Sequence, residues 1–95
     1  MKKHIQIYMK HFDYVLDDFI GCEVCGAKAV DIHHIEPKGM GGSKTKDFIA
    51  NLMALCRSCH TKCHTHKAFS SRAKEIHMLK MELHEKKLRG FVKRL

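Results

Sequence analysis

A small α+β fold with helical ends is predicted by three features of this 95-residue chain. Two Cys-x-x-Cys steps, Cys22/Cys25 and Cys56/Cys59, each present two thiols from one tight turn, and together they supply the four ligands of a tetrahedral metal site. Two short segments of strand-like composition flank a turn-rich stretch. Apolar residues recur at helical spacing towards both ends. A chain of this length has room for one domain, near the size where an apolar core is marginal and a structural metal adds folding energy.

The first helix is expected from Lys3 to Phe19, where Ile5, Tyr8, Met9, Phe12, Val15, Leu16 and Phe19 form an apolar stripe beside Lys10, His11, Asp13 and Asp17. Ala29 to Ile35 is partly β-branched and reads as a strand. Glu36 to Asp47 holds Pro37, Gly39, Gly41, Gly42 and Ser43 and reads as a loop. Phe48 to Leu55 is an apolar run ending in the second cysteine turn, expected as a brief strand, and His60 to about His66 should be helical. The tail, Ser70 to Gly90, offers Ser70 or Ser71 as a cap, an Ile76/Leu79/Leu83 stripe and Gly90 as a stop. The organisation expected is a single domain: an N-terminal helix within 1–21, a metal-braced core over 22–66 and a basic C-terminal helix within 67–95.

The four cysteines point to structural Zn²⁺. Zinc ribbons separate their pairs by roughly 15 to 20 residues; here residues 26–55 intervene, so a substantial insert is looped out. The competing reading is a pair of disulfides. The polar Met-Lys-Lys opening, the lack of an apolar signal-peptide core and the odd cysteine count of 5 argue for a reducing compartment instead. Cys63 is expected to be a free or packed thiol.

Charge narrows the partner. With 18 Lys+Arg against 10 Asp+Glu, a net charge of +8 and a pI near 9.4, nucleic acid is the default polyanion and an acidic membrane surface the weaker option. No apolar stretch approaches the roughly 20 residues that cross a bilayer.

The histidines carry the chemistry. His60 and His64 lie one helical turn apart, so two imidazoles on one face can share a metal. His33 and His34 are neighbours on a strand and point to opposite faces, so one can face a metal while the other faces substrate or water. An imidazole with an ordinary pKa of about 6.5 can take a proton from water at physiological pH. His4, His11, His66, His77 and His84 read as solvated or helix-face residues.

Asp31-Ile32-His33-His34-Ile35-x-Pro37, the glycine-containing loop, Asn51-Leu52, Leu55-Cys56-x-x-Cys59-His60 and His64 resemble the HNH endonuclease family, over about residues 22 to 66. The resemblance implies a zinc-braced ββα-metal fold with flanking helices, in which a β-hairpin and a helix carry a DNA-cutting site. It implies that His34 is the general base and that His33, His60 and His64 hold one catalytic divalent metal ion. Asn51 resembles the middle residue of the motif, with a loop-pinning role favoured over metal ligation. Asp31 could orient a ligand imidazole, or act as an ordinary capping or surface residue. Many members have a carboxylate where this chain has His33, and an imidazole set shifts preference from Mg²⁺ towards Mn²⁺, Co²⁺, Ni²⁺ or Zn²⁺.

DNA contacts are expected from Lys38, Lys44 and Lys46 beside the chemistry. The tail from 72 to 95 is a second basic surface, carrying +5 of the total charge, and a solvated helix face explains it equally well. The leading expectation is a metal-dependent DNA endonuclease of a bacterial or phage-infected cytoplasm. The alternatives are a zinc-stabilised nucleic-acid-binding module without catalysis, and a protein-interaction adaptor. One centre cuts one strand, so a double-strand break needs a homodimer, sequential nicks or a partner nuclease or packaging protein.

Overall fold

A computed structural model describes residues 2–36 and 47–93, with side chains through residue 87. In chain order the elements are helix α1 (Lys3–His11), strand β1 (Asp31–His34), a short 3₁₀ turn (Ile49–Asn51), strand β2 (Leu52–Leu55), helix α2 (Arg57–Thr65) and helix α3 (Lys67–Lys93). No helix among the described residues is long and apolar enough to cross a membrane.

The two strands pair antiparallel, with Asp31 opposite Leu55, Ile32 opposite Ala54, His33 opposite Met53 and His34 opposite Leu52. A two-stranded ribbon is marginal by itself, and this one is covered on both sides. All four β2 residues are fully buried. Leu52 and Ala54 join Ile32 and Tyr8 in one core, which Ile5, Phe12, Tyr14 and Ile49 extend. Met53 and Leu55 point the other way, packing with Cys22, Cys56, Cys59 and Ala73 in a second core closed by Val24, Cys63 and Phe69. The hairpin is thus the shared wall between an α1 layer and a layer made by the cysteines, α2 and α3.

Helix α1 is shorter than its apolar stripe predicts. Phe12 leaves helical geometry, Asp13 adopts a left-handed φ of 59°, and the Tyr14 N–H reaches back to the Met9 carbonyl. The Asp18 carboxylate then accepts the Val15 N–H at 2.8 Å, a local turn that competes with helix. Val15, Leu16 and Phe19 consequently stand exposed instead of continuing the stripe. The first cysteine turn follows, closed by Cys22 N–H to Ala27 O and Gly26 N–H to Cys22 O. Gly26 has φ +82°, a conformation a Cβ would strain.

Helix α3 begins at Lys67, a turn before Ser70, and its backbone runs past Gly90 to Lys93. His66 is extended and separates it from α2. Its buried contacts also differ from expectation. Leu79 and Leu83 are exposed, and the residues driven into the core are Ala73 and His77. His77, expected on a solvated helix face, is wholly enclosed because it finds partners for both ring nitrogens. Nε2 donates to the Ile49 carbonyl at 2.8 Å, and Nδ1 meets Glu23 Oε1 at 2.7 Å. Oε2 of Glu23 accepts the Tyr8 hydroxyl at 2.6 Å and the Ala54 N–H at 3.2 Å. Burial, then the Glu23 carboxylate, raises the Tyr8 phenol well above its ordinary pKa, in keeping with a hydroxyl that donates to Oε2. One buried carboxylate thereby ties α1, the first cysteine turn, β2 and α3 together.

Removing one partner of a buried pair strands the other. His77→Ala should lower the unfolding free energy of the zinc-loaded protein by about 3–5 kcal/mol, and Tyr8→Phe by about 1–3 kcal/mol. Urea unfolding followed by far-UV circular dichroism measures both; a His77→Ala protein as stable as the parent would remove this network from the account of the fold.

Candidate active site

Strand geometry separates the paired histidines. Asp31 and His33 leave β1 towards α2, while His34 leaves on the opposite face, where its ring centroid lies 4.6 Å from that of His4 on α1. On the α2 side the His33 ring sits 4.8 Å from His60 and 5.3 Å from His64, centroid to centroid. The ligand atoms of the three lie within 4.8 Å of one another.

The donor set fits a divalent cation. The Nε2 atoms of His60 and His64 are 3.1 Å apart, within the roughly 3.0–3.4 Å set by two imidazoles bound at about 2.1 Å. The Asp31 carboxylate lies 3.0 Å from His60 Nδ1, so it accepts that N–H and leaves the Nε2 lone pair turned to the cluster. Burial, then the facing His60 and His64 rings, lowers the His33 pKa to about 4, so this imidazole is neutral at pH 7 with its lone pair available.

The four cysteines form the other group of metal-ligating atoms among the described residues, again within 4.8 Å of one another, and none is in a disulfide. Cys25 and Cys56 sulfurs are 3.6 Å apart, close to the about 3.8 Å that 2.3 Å zinc–sulfur bonds impose at the tetrahedral angle. Cys56 caps α2, its sulfur accepting the Cys59 N–H at 3.5 Å. Burial pushes the Cys22 thiol up, but hydrogen bonds from the backbone of Cys25, Cys56 and Val24 outweigh it and bring the group to about 7. Cys59 is pushed up by burial and by the sulfurs around it. Four thiols this close ionise together only around a cation, and the group is compatible with structural zinc. Cys63 packs against the same core and lies outside the four.

Asn51 is buried at the mouth of the hairpin. Its Oδ1 accepts the Glu36 N–H at 2.7 Å, its Nδ2 donates to the Glu36 carbonyl at 3.1 Å, and its own carbonyl accepts the Ile35 N–H at 2.8 Å. These bonds clamp the end of β1 to the start of β2. Asp47 places Oδ1 2.8 Å from His34 Nε2, a contact no residue spacing announced. Lys38, Lys44 and Lys46 lie outside the described residues. On α3, Lys80 sits 4.8 Å from the Phe12 ring centroid and Lys86 lies 3.4 Å from Glu82, so two tail cations already have intramolecular partners.

Residues 22–68 match the family model for HNH endonuclease. The chain is 35% identical over 65 residues to the type IV methyl-directed restriction enzyme EcoKMcrA of Escherichia coli (strain K12), covering 58% of this chain and 21% of that enzyme. It is 39% identical over 49 residues to the mitochondrial DNA mismatch repair protein mutS homolog of Sarcophyton glaucum, covering 48% of this chain and 5% of that protein. The chain therefore spans a small part of each curated relative. No solved structure matches it.

Because metal binding and folding are coupled at a four-thiolate site, Cys56→Ala should lose its zinc and its cooperative melting, whereas Cys63→Ala should keep both. Metal content by atomic spectroscopy beside differential scanning calorimetry gives the comparison; equal losses from the two variants would count against the assignment of the four ligands.

Proposed function

The chain belongs to the HNH endonuclease family, and on that premise we propose that it is a metal-dependent endonuclease that hydrolyses phosphodiester bonds of DNA. The observation that carries the proposal is the split between His33 and His34. Three imidazoles gather on one face of β1, and a fourth, on the other face, is left to act on water.

In this reading His34 accepts a proton from a water molecule. The water oxygen bonds to phosphorus, the bond from phosphorus to the 3′ oxygen breaks, and that oxygen takes a proton from solvent, giving a 5′-phosphate and a 3′-hydroxyl. His33, His60 and His64 would hold a divalent cation, which would stabilise the negative charge that develops on the phosphate during cleavage. Asp31 orients His60 for that task, and Asn51 keeps the hairpin mouth closed so that the two histidine faces hold their positions. The imidazole set favours Mn²⁺, Ni²⁺ or Zn²⁺ relative to Mg²⁺. Lys38, Lys44, Lys46 and the basic face of α3 are proposed to contact phosphates, which anchors DNA with little sequence preference. The residues 1–95 are read as one catalytic domain.

A supercoiled-plasmid assay across Mg²⁺, Mn²⁺, Ni²⁺ and Zn²⁺ tests this. His34→Ala should slow nicking by about 10² to 10⁴ while zinc content and the melting temperature stay at the parent's values. Undiminished cutting by His34→Ala rejects the base. Salt-dependent plasmid binding without cutting in any metal would leave a zinc-stabilised DNA-binding module in its place.

A further inference from the structure

We propose that Asp47 is the positioning residue for His34: its carboxylate holds the Nε2–H and so makes Nδ1 the lone-pair nitrogen offered to water. This rests on the reading of His34 as the base and adds the group that prepares it.

The argument begins with accessibility. The Asp47 side chain is 4% exposed and sits 2.8 Å from a His34 ring that is 17% exposed, so the contact is shielded while part of the ring remains open. A carboxylate can only accept at that distance from a neutral imidazole, which assigns the proton to Nε2 and the lone pair to Nδ1. Among the described residues Nδ1 has no hydrogen-bond partner. The ring face is also fixed, by His4 at 4.6 Å. A half-turn about the Cβ–Cγ bond would put Cε1 in place of Nε2 and break the bond to Asp47, so one orientation and one tautomer are selected together.

The backbone explains how a residue thirteen positions from His34 stays in place. Asp47 lies just before the 3₁₀ turn that ends in Asn51, and Asn51 is bound on both sides to Glu36, two residues after His34. The Asn51 clamp therefore holds the two chain segments that carry His34 and Asp47 side by side. Asp31 stands in the same relation to His60 on the other face, its carboxylate on Nδ1 and Nε2 left for the cluster. The two carboxylates select opposite tautomers on opposite faces of one strand.

The test uses the full chain loaded with one equivalent of zinc. Two-bond ¹H–¹⁵N correlation spectra at neutral pH should show His34 in the parent with a protonated Nε2 and an unprotonated Nδ1. In Asp47→Asn and Asp47→Ala they should show a mixture of tautomers. Plasmid nicking should fall about 10²-fold in kcat in both variants, with KM for plasmid and the melting temperature near the parent's, and Asp47→Glu should recover part of the loss. Parental kcat in Asp47→Asn, or an unchanged His34 tautomer in Asp47→Ala, would overturn the proposal even with His34→Ala inactive. If the parent cuts in no metal, the nuclease reading falls, and the spectra still accept or reject the Asp47–His34 pairing.

Discussion

The register between β1 and β2 is the constraint from which the rest follows. With Ile32 opposite Ala54 and His33 opposite Met53, Ile32 and His34 face α1 and Asp31 and His33 face α2. A slip of one residue would exchange every one of these side chains between faces. His33 would leave the imidazoles of α2, and Ile32 would be withdrawn from Tyr8 and Leu52. Because β2 is buried on both faces, each core independently penalises such a slip. The packing that stabilises the hairpin is also what keeps the two histidines apart.

The two groups of side chains able to hold a metal extend the same logic. Cys56 directly follows β2, caps α2 and belongs to the four-sulfur group, so one residue sets where the helix starts and how it leaves the sheet. Helix α2 then presents Cys59 inward and His60 and His64 towards β1. The thiol and imidazole groups are separated by less than a helical turn along this one element, and a structural ion at the first would fix the direction of the second.

Much of this was legible in the sequence. The Cys-x-x-Cys doublets, the adjacent histidines of a strand and the i, i+4 histidines of a helix are periodic patterns, and period translates directly into which atoms share a face. What failed to show were arrangements that depend on distant partners. The stripe from Ile5 to Phe19 is helical by spacing, yet the helix ends at His11 because Asp13 and Asp18 turn the chain towards the first cysteine pair. His77 looks like any exposed helix histidine until Glu23 and the Ile49 carbonyl are seen to enclose it. Asp47 read as the end of a loop, since the imidazole it meets is thirteen residues away. Burial of a polar group is decided by its complement, and the complement is not local.

Glu23 occupies a spacer position inside the first Cys-x-x-Cys step, where the pattern leaves the residue type open. Its carboxylate nevertheless serves Tyr8, Ala54 and His77 at once. Substitution there is therefore permitted to evolution only in company: a homologue that trades this glutamate for an apolar residue should also have traded the phenol and the imidazole. Positions 8, 23 and 77 should drift as a trio, although no two of them are near in the chain and none of them belongs to the thiol or the imidazole group.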